Sequence, residues 1–356
     1  MDILNKYFEK TGDKEALERF DFFMIKQKEL QDKIIKINPD LKSNLSLFNI
    51  YSKETPLRVL NDCGFTQKLK LNKFIVCLTH DVDIIKPTLL FKLFHIKKNP
   101  KNLFNILLTR NFNTFKEIIR IENEYNANST FFFLIKGKDK SILNYKKVNY
   151  DLNKEDKIIN LLKENNREIG LHGGYWSFND PDKIKKEKRE IERITKERII
   201  SYRNHYLRFH IFNTWKYLSR TNFRIDSTFG WNDVLGFRNG WPYPFKPYDF
   251  ERKEFINIIE FPLNIMDNTI FINKEPLKNA FLRIKNIIKK VKKVRGVLTI
   301  NWHNNYFDER FYPGYKTLYK NILKLVSNNK GELLSLKDAY EKIKEKIWGF
   351  SKWQEC

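Results

Sequence analysis

Short apolar runs alternate with longer amphipathic segments from Phe74 onward. This alternation predicts βα units around a parallel sheet or barrel. About seven or eight such units fit a (β/α) barrel better than a small open sheet. The predicted strands are Phe74 to Thr79, Ser129 to Ile135, Glu168 to Leu171, Ser201 to Arg203, Arg224 to Thr228, Ile256 to Phe261, Gly296 to Asn301 and Glu332 to Leu334. The predicted helices are Thr114 to Tyr125, Lys154 to Asn165, Asp182 to Arg198, Asn213 to Arg220, Leu277 to Val294, Tyr315 to Val326 and Leu336 to Ile347.

The region before the first strand has a different pattern. Residues 1–73 predict a mostly helical extension, because apolar residues recur at helical spacing from Lys14 to Lys36, and Asn38-Pro39-Asp40 then breaks the pattern. Residues 74–347 form the predicted barrel domain, and residues 348–356 a C-terminal tail.

Composition narrows the class of protein. The net charge is +24, but the basic residues are spread along the chain and no nucleic-acid-binding motif accompanies them, so we expect no nucleic-acid partner. Cys63, Cys77 and Cys356 have no paired spacing, which argues against disulfides and a zinc-thiolate site.

No apolar run reaches the roughly 18 residues of a membrane span, and the N-terminus lacks a signal-peptide core. We therefore expect a cytoplasmic protein.

Two carboxylates end the first predicted strand. Asp81 and Asp83 lie two residues apart, so an extended chain points both to the same side. Barrel strands deliver catalytic groups to their C-terminal rim in this way. One carboxylate could bind a metal while the other handles a proton.

Four of the six histidines stand at or just after the ends of predicted strands: His80, His172, His205 and His303. Each alone could be a structural histidine. Together with the two aspartates they have the composition of a metal site with acid and base groups.

Four segments carry a resemblance to a known family: Thr79-His-Asp-Val-Asp83, Glu168-Ile-Gly-Leu-His172, Arg203-Asn-His-Tyr206 and Leu298-Thr-Ile-Asn-Trp-His303. They resemble the motifs of the polysaccharide deacetylases of carbohydrate esterase family 4. The resemblance runs from about Phe74 to His303 and implies an α/β fold, a distorted (β/α)7 barrel. It also implies metal-dependent removal of an acetyl group from a sugar nitrogen.

The first two motifs assign three residues. By the resemblance Asp81 is the general base, and Asp83 and His172 are metal ligands. The family has a second histidine four residues after the first, where this chain has Trp176. An indole cannot replace that ligand.

The third motif suggests a compensation. In the family its arginine, here Arg203, orients the catalytic aspartate, and its tyrosine, here Tyr206, offers a backbone N–H to the oxyanion. His205 replaces the family's proline, and we expect it to supply the missing ligand, which gives an Asp83, His172 and His205 set. Zinc is the expected ion, with iron, cobalt or nickel as alternatives.

The last motif has two additional residues before its histidine. By the resemblance His303 is the general acid, and the alternative is a structural role. Trp302 and Asn304 are candidate substrate contacts.

Asp226 and a proline-broken aromatic stretch are further candidates for substrate binding. The segment around Asp226 is similar to a subgroup associated with bacterial surface-polysaccharide synthesis, in which it lines the substrate groove; the alternative is that Asp226 caps the end of a strand. Aromatic rings could stack on a sugar or simply pack the loop. This aromatic set is Trp231, Trp241, Tyr243, Phe245 and Tyr248.

These expectations combine into a metal-dependent N-deacetylase acting on an amino sugar of a surface glycan or on its nucleotide- or lipid-linked precursor. A precursor would place the enzyme in the cytoplasm, where contact with the inner face of the membrane is compatible with the positive charge. Two alternatives stay open. One is a hydrolase of other linear or cyclic amide C–N bonds, and the other is a catalytically silent carbohydrate-binding or scaffold protein.

Overall fold

The computed structural model describes residues 71–351, with gaps at 136–148, 211–212, 239–241, 250–251 and 253. Most of the predicted extension over residues 1–73, including its helix, lies outside the described residues. Trp241 and the end of the predicted tail also lie outside them.

Within the described residues, nine strands form one sheet in which every pairing is parallel. The strands of this sheet are β1 (Ile75–Val82), β2 (Ser129–Leu134), β3 (Glu168–Gly173), β4 (Ser201–Asn204), β5 (Ile225–Asp226), β8 (Ile259–Glu260), β9 (Leu263–Met266), β10 (Val297–Asn301) and β11 (Glu332–Leu334). A separate antiparallel hairpin contains β6 (Tyr248–Asp249) and β7 (Glu254–Phe255). The order in the sheet is β8-β5-β4-β3-β2-β1-β10-β9. In addition, β11 pairs with the first half of β1, and β2 pairs with its second half.

Ten α-helices in the described part of the chain connect and cover the strands. They are α1 (Leu89–Lys98), α2 (Leu103–Leu108), α3 (Phe115–Asn123), α4 (Asp156–Glu164), α5 (Pro181–Thr195), α6 (Thr214–Arg220), α7 (Asp267–Ile272), α8 (Leu277–Val294), α9 (Tyr315–Asn328) and α10 (Leu336–Ser351). Among the described residues, no helix combines the length and the apolar character needed to cross a lipid bilayer.

The alternation of side chains along β1 separates two layers of core. Val76 and Leu78 belong to the large cluster between the sheet and the helices, whereas Ile75 and Cys77 belong to the interior cluster, which also contains residues of α10. Successive strand residues point to opposite faces. The odd-numbered side chains of β1 therefore continue along the interior of the curved sheet toward Asp81.

All eight predicted strands and all seven predicted helices are present, with ends that shift by a few residues. The sequence pattern did not predict α1, α2, α7, the β6–β7 hairpin or β9. The strand β9 is only four residues long, Leu263-Asn-Ile-Met266, and follows β8 closely. A segment this short carries little periodic signal.

His80 does not join the rim with the other three histidines. Its ring is fully buried on the helix-facing side of β1, where Nε2 lies 2.8 Å from Glu122 Oε1 and Nδ1 lies 2.6 Å from the Trp302 carbonyl oxygen. Glu122 also accepts hydrogen bonds from Ser129 and Tyr319, each at 2.8 Å. For His80 the structural alternative is therefore correct.

We predict that Glu122→Leu lowers the free energy of unfolding by about 3–5 kcal/mol, because it leaves the buried partners of a charged group unpaired. His80 would lose its carboxylate, and Arg167, whose Nε lies 3.4 Å from Glu122, would lose an ion pair. Urea unfolding monitored by circular dichroism measures the change.

Glu117→Leu on the same helix is the matched control. Glu117 makes a partly exposed ion pair with Lys316 at 3.0 Å, so the loss should stay within about 1 kcal/mol. Equal destabilisation by the two substitutions would contradict a special role of the buried network.

Candidate active site

The carboxyl ends of four strands meet at one cavity of about 210 Å³. Asp83 follows β1, His172 lies in β3, His205 follows β4 and His303 follows β10 two residues after its end. All four line the cavity, together with Asp81. Parallel strands end at the same edge of a sheet, which explains why residues far apart in sequence converge here.

Asp83, His172 and His205 form the candidate metal centre. Their ligand atoms all lie within 4.8 Å of one another. His172 Nε2 is 3.2 Å from Asp83 Oδ1, and His205 Nε2 is 3.6 Å from Asp83 Oδ2. Two imidazole nitrogens and a carboxylate are a donor set that zinc and other divalent transition metals accept.

Two observations indicate that His172 Nε2 and Asp83 Oδ1 suit a cation. His172 Nδ1–H donates to the Arg203 carbonyl oxygen at 2.8 Å, which leaves a lone pair on Nε2 facing the carboxylates. Within the described part of the chain, the buried Asp83 Oδ1 has no hydrogen-bond partner. Two lone pairs facing each other repel, so this pair of atoms is stabilised by positive charge between them.

The charges around Asp83 favour its ionised form. Burial alone would raise the pKa of Asp83, but the charge of the nearby His205, together with the His172 and His205 rings that face its oxygens at 3.2 and 3.6 Å, holds it well below its usual range. The carboxylate is therefore available as a ligand across the neutral pH range.

Asp81 is held by contacts different from those of Asp83. Arg203 Nη1 donates to Asp81 Oδ1 at 2.9 Å, and Asn301 Nδ2 donates to Oδ2 at 2.8 Å. Burial would raise the pKa of Asp81, but the charge of Arg203, followed by those of His172 and His303, lowers it. Asp81 thus stays ionised, as a proton acceptor requires.

His303 is paired with Asp267, the first residue of α7. Asp267 Oδ1 lies 2.6 Å from His303 Nδ1, and Asp267 Oδ2 accepts from the His303 backbone N–H at 2.6 Å. Burial would lower the pKa of His303, but the charge of Asp267 outweighs it and raises the pKa to about 10. The Nε2 side, 3.6 Å from Asp83 Oδ2, can therefore carry a proton into the site.

Asn301 and Asp267 hold two of the candidate site residues, Asp81 and His303, and the sequence motifs did not indicate them. Asn301 ends β10 beside Thr79 of β1, and this register carries it to Asp81. The order of the strands, which places β10 next to β1, was the missing information. Asp267 directly follows the short strand β9, and recognising that strand would have placed its carboxylate at the rim.

Trp302 and Asn304 were wrongly predicted as substrate contacts. The Trp302 ring is fully buried and packs against Tyr319 at a centroid distance of 5.5 Å. Asn304 is also fully buried, and its Nδ2 donates to the Ile84 carbonyl oxygen at 3.0 Å. The chain turns after β10, so that His303 points into the cavity while its neighbours face the core.

Asp226 also lies away from the cavity. It is fully buried, and its Oδ1 accepts hydrogen bonds from the backbone and hydroxyl of Thr228 at 3.1 and 2.6 Å. The capping alternative is therefore correct for Asp226, and the groove-lining prediction is wrong.

The aromatic stretch mainly packs the loop. Tyr243 is buried, and Phe245 packs against Trp215 and Phe229 at centroid distances of 5.9 and 6.2 Å. Trp231 lies beside the Arg238 guanidinium at 4.5 Å and is not one of the described residues that line the cavity.

Two further aromatic residues, Tyr206 and Trp176, are exposed, and the first of them lies at the cavity. Tyr206 lines the cavity and is 46% exposed; its backbone has φ 60° and ψ 19°, a left-handed conformation that costs about 1–3 kcal/mol for a residue other than glycine. Trp176, at the position of the family's second histidine, lies 4.4 Å from the Arg208 guanidinium. Backbone strain of the kind found at Tyr206 is typical of functional segments.

No family model matches the sequence, and no curated protein resembles it in sequence at a significant level. Solved structures are similar in fold. A candidate polysaccharide deacetylase from Mycobacterium smegmatis has a TM-score of 0.53 at 16% identity, with 77% of this chain and 91% of that chain covered. The PuuE allantoinase has a TM-score of 0.53 at 10% identity, with coverages of 76% and 90%. A candidate polysaccharide deacetylase from Pseudomonas aeruginosa PAO1 has a TM-score of 0.52 at 10% identity, with the same coverages.

These likenesses confirm the predicted fold. The chain has the distorted (β/α) barrel of the polysaccharide deacetylase type, and the resemblance inferred from its motifs is confirmed at the level of fold. An allantoinase shares that fold, so the fold alone does not select the reaction.

We predict that the purified protein binds a single zinc ion per chain and that His172→Ala abolishes this binding, because the substitution removes one of three protein ligands. Metal content after dialysis, measured by inductively coupled plasma mass spectrometry, tests the prediction. His210→Ala changes a histidine outside the ligand set and should leave the metal content unchanged. Equal zinc in all three proteins would rule out the proposed centre.

Proposed function

We propose that this protein is a metal-dependent hydrolase that removes the N-acetyl group from an amino sugar. One observation carries the proposal: an ionised carboxylate, Asp81, and an imidazole poised to stay protonated, His303, border the same candidate metal centre. Amide hydrolysis needs this combination, a base for the attacking water and an acid for the departing amine.

A divalent ion held by Asp83, His172 and His205 would polarise the acetyl carbonyl and lower the pKa of a water molecule, with zinc proposed first and iron, cobalt or nickel as alternatives. Asp81 accepts the proton of the attacking water. Arg203 and Asn301 fix both oxygens of its carboxylate, so the base stays ionised and oriented.

His303 donates its Nε2 proton to the sugar nitrogen, since an amine cannot leave readily as an anion. Asp267 holds the ring from the Nδ1 side and compensates its positive charge. We assign oxyanion stabilisation to the Tyr206 backbone N–H, supported by the position of Tyr206 at the cavity and its strained backbone.

The cavity lining suits a sugar. Asn232, Asn268 and Asn305 supply amide groups that can bind hydroxyl groups, and Phe91 and Tyr312 supply aromatic surface. We propose a surface glycan, or its nucleotide- or lipid-linked precursor in the cytoplasm, as the source of this sugar. The net charge of +24 favours a phosphate-bearing precursor.

Acetate release from a panel of N-acetylated sugar nucleotides and oligosaccharides tests the proposal. We predict that Asp81→Asn lowers kcat/KM by roughly 100-fold or more while zinc stays bound, because a general base contributes about 10²–10⁴-fold. Asp182→Asn, a change at an exposed position of α5, is the matched control and should retain full activity.

Unchanged acetate release by Asp81→Asn would remove Asp81 from the role of base. A metal-loaded protein that releases no acetate from any member of the panel would favour the hydrolysis of another C–N bond. A protein without metal or activity would favour the silent carbohydrate-binding alternative.

A pair of substrates isolates the role of His303. We predict that His303→Gln lowers kcat/KM for the N-acetyl sugar by roughly 100-fold or more, but far less for 4-nitrophenyl acetate, whose phenolate leaves without being protonated. Spectrophotometric release of 4-nitrophenol and enzymatic detection of acetate measure the two reactions. Equal losses on both substrates would indicate that His303 acts in another step.

A further inference from the structure

The helices α1 and α2, inserted between β1 and α3, expose an unusual amount of apolar surface. Of the twelve large hydrophobic side chains that are exposed in the described part of the chain, eight lie on these two helices. Phe104 and Leu108 are 76% and 77% exposed. Contiguous apolar surface of this kind marks an interaction site. The eight residues, hereafter the apolar patch, are Leu89, Leu90, Leu93, Phe94, Leu103, Phe104, Leu107 and Leu108.

The opposite side of α1 is anchored to the barrel. His95 is buried, and its Nδ1 lies 3.2 Å from the Phe311 carbonyl oxygen. Phe91 packs against Phe112 and Phe311 at centroid distances of 5.8 and 5.6 Å. Because the inner positions are filled in this way, the apolar patch has no room to turn inward.

Positive charge surrounds the apolar patch. Between Asp83 and Glu117 the chain contains seven lysine and arginine residues and no aspartate or glutamate. Lys98 Nζ lies 4.5 Å from the Phe94 ring and 3.9 Å from the Phe271 ring, beside the patch. The exposed basic residues of this segment are Lys86, Lys97, Lys98, Lys101, Arg110 and Lys116.

We infer that α1 and α2 form a docking surface for the anionic face of a lipid bilayer. Apolar side chains enter the boundary between headgroups and acyl chains, and the surrounding lysine and arginine side chains bind the lipid phosphates. The surface is therefore matched to a bilayer in both hydrophobicity and charge.

Charge argues against two other possible partners of the apolar patch, which are a second copy of the chain and residues 1–70 of the same chain. A second copy of the chain would bring two clusters of seven positive charges together. Residues 1–70 contain 13 lysine and arginine residues against 11 aspartate and glutamate residues, so they offer no excess of negative charge. An anionic bilayer supplies both the apolar phase and the opposite charge.

Docking would place the cavity close to the lipid surface, since Phe91 of α1 also lines the cavity. A lipid-linked sugar could then enter the site from the membrane. This consequence rests on the proposed function, whereas docking itself does not depend on catalysis.

Cosedimentation of the full-length protein with vesicles tests the inference without any measure of activity. We expect binding to vesicles of phosphatidylglycerol and phosphatidylcholine, and much weaker binding to phosphatidylcholine alone. Phe104→Ser with Leu108→Ser should lower the partition coefficient roughly tenfold or more, through lost apolar burial. Lys97→Glu with Lys101→Glu should lower it by a similar factor, through lost attraction.

Two matched controls accompany these variants. Leu282→Ser removes an exposed leucine of α8, outside the patch, and Lys289→Glu with Lys290→Glu changes the net charge by the same amount on that helix. Both should bind vesicles like the original protein.

Failure to bind anionic vesicles, or equal losses in patch variants and controls, would overturn the inference. So would a dimer, seen by sedimentation velocity without lipid, that Phe104→Ser with Leu108→Ser converts to monomers, because the patch would then join two copies. Acetate release is measured separately, so that loss of docking and loss of catalysis remain distinguishable.

Discussion

A guanidinium group lies fully buried inside the curved sheet, and the arrangement of the site depends on how it is neutralised. Arg203 of β4 donates to Asp81 and Thr79 of β1 through Nη1, at 2.9 and 2.7 Å. Its Nε and Nη2 donate to the carbonyl and hydroxyl oxygens of Ser227 after β5. A buried charge without such partners would be strongly destabilising. Asp81 is therefore the counterion that fixes strands β1, β4 and β5 relative to one another.

The need to neutralise Arg203 gives Asp81 and Asp83 different surroundings, although the two carboxylates lie two residues apart on the same strand end. Asp81 and Asp83 project from the same side of β1, but Arg203 and Asn301 occupy both oxygens of the first. Asp83, at the strand end, meets only histidines, and its Oδ1 has no hydrogen bond among the described residues. Asp81, each of whose oxygens accepts one hydrogen bond, is held in a fixed orientation and keeps lone pairs that can accept a proton. We therefore propose the metal role for Asp83, because Asp81 is already engaged in the ion pair with Arg203.

The sequence predicts those features that follow from strand direction alone. Parallel strands end at one edge, so the positions of His172, His205 and His303 after predicted strands suffice to place them together with Asp83. The same alternation that puts Asp81 and Asp83 on one side puts His80 on the other, so the grouping of His80 with the rim histidines was wrong. The burial of Trp302 was beyond such reasoning, because it depends on the turn after β10 and on packing against α9. The helices α1 and α2 escaped prediction because apolar residues occupy their exposed as well as their buried positions, which obscures helical periodicity.

The connection after β1 contributes both to the lining of the cavity and to the apolar patch. It begins at Asp83, supplies Phe91 to the cavity lining and then forms the apolar patch. In a barrel of this kind the loops after strands can vary without disturbing the strands that hold the catalytic groups. An insertion at this point can therefore change the surface at which a substrate binds without changing the residues proposed as acid, base and metal ligands. The proposed docking surface is therefore separate in the chain from most of the proposed catalytic groups, and separate substitutions can test each of them.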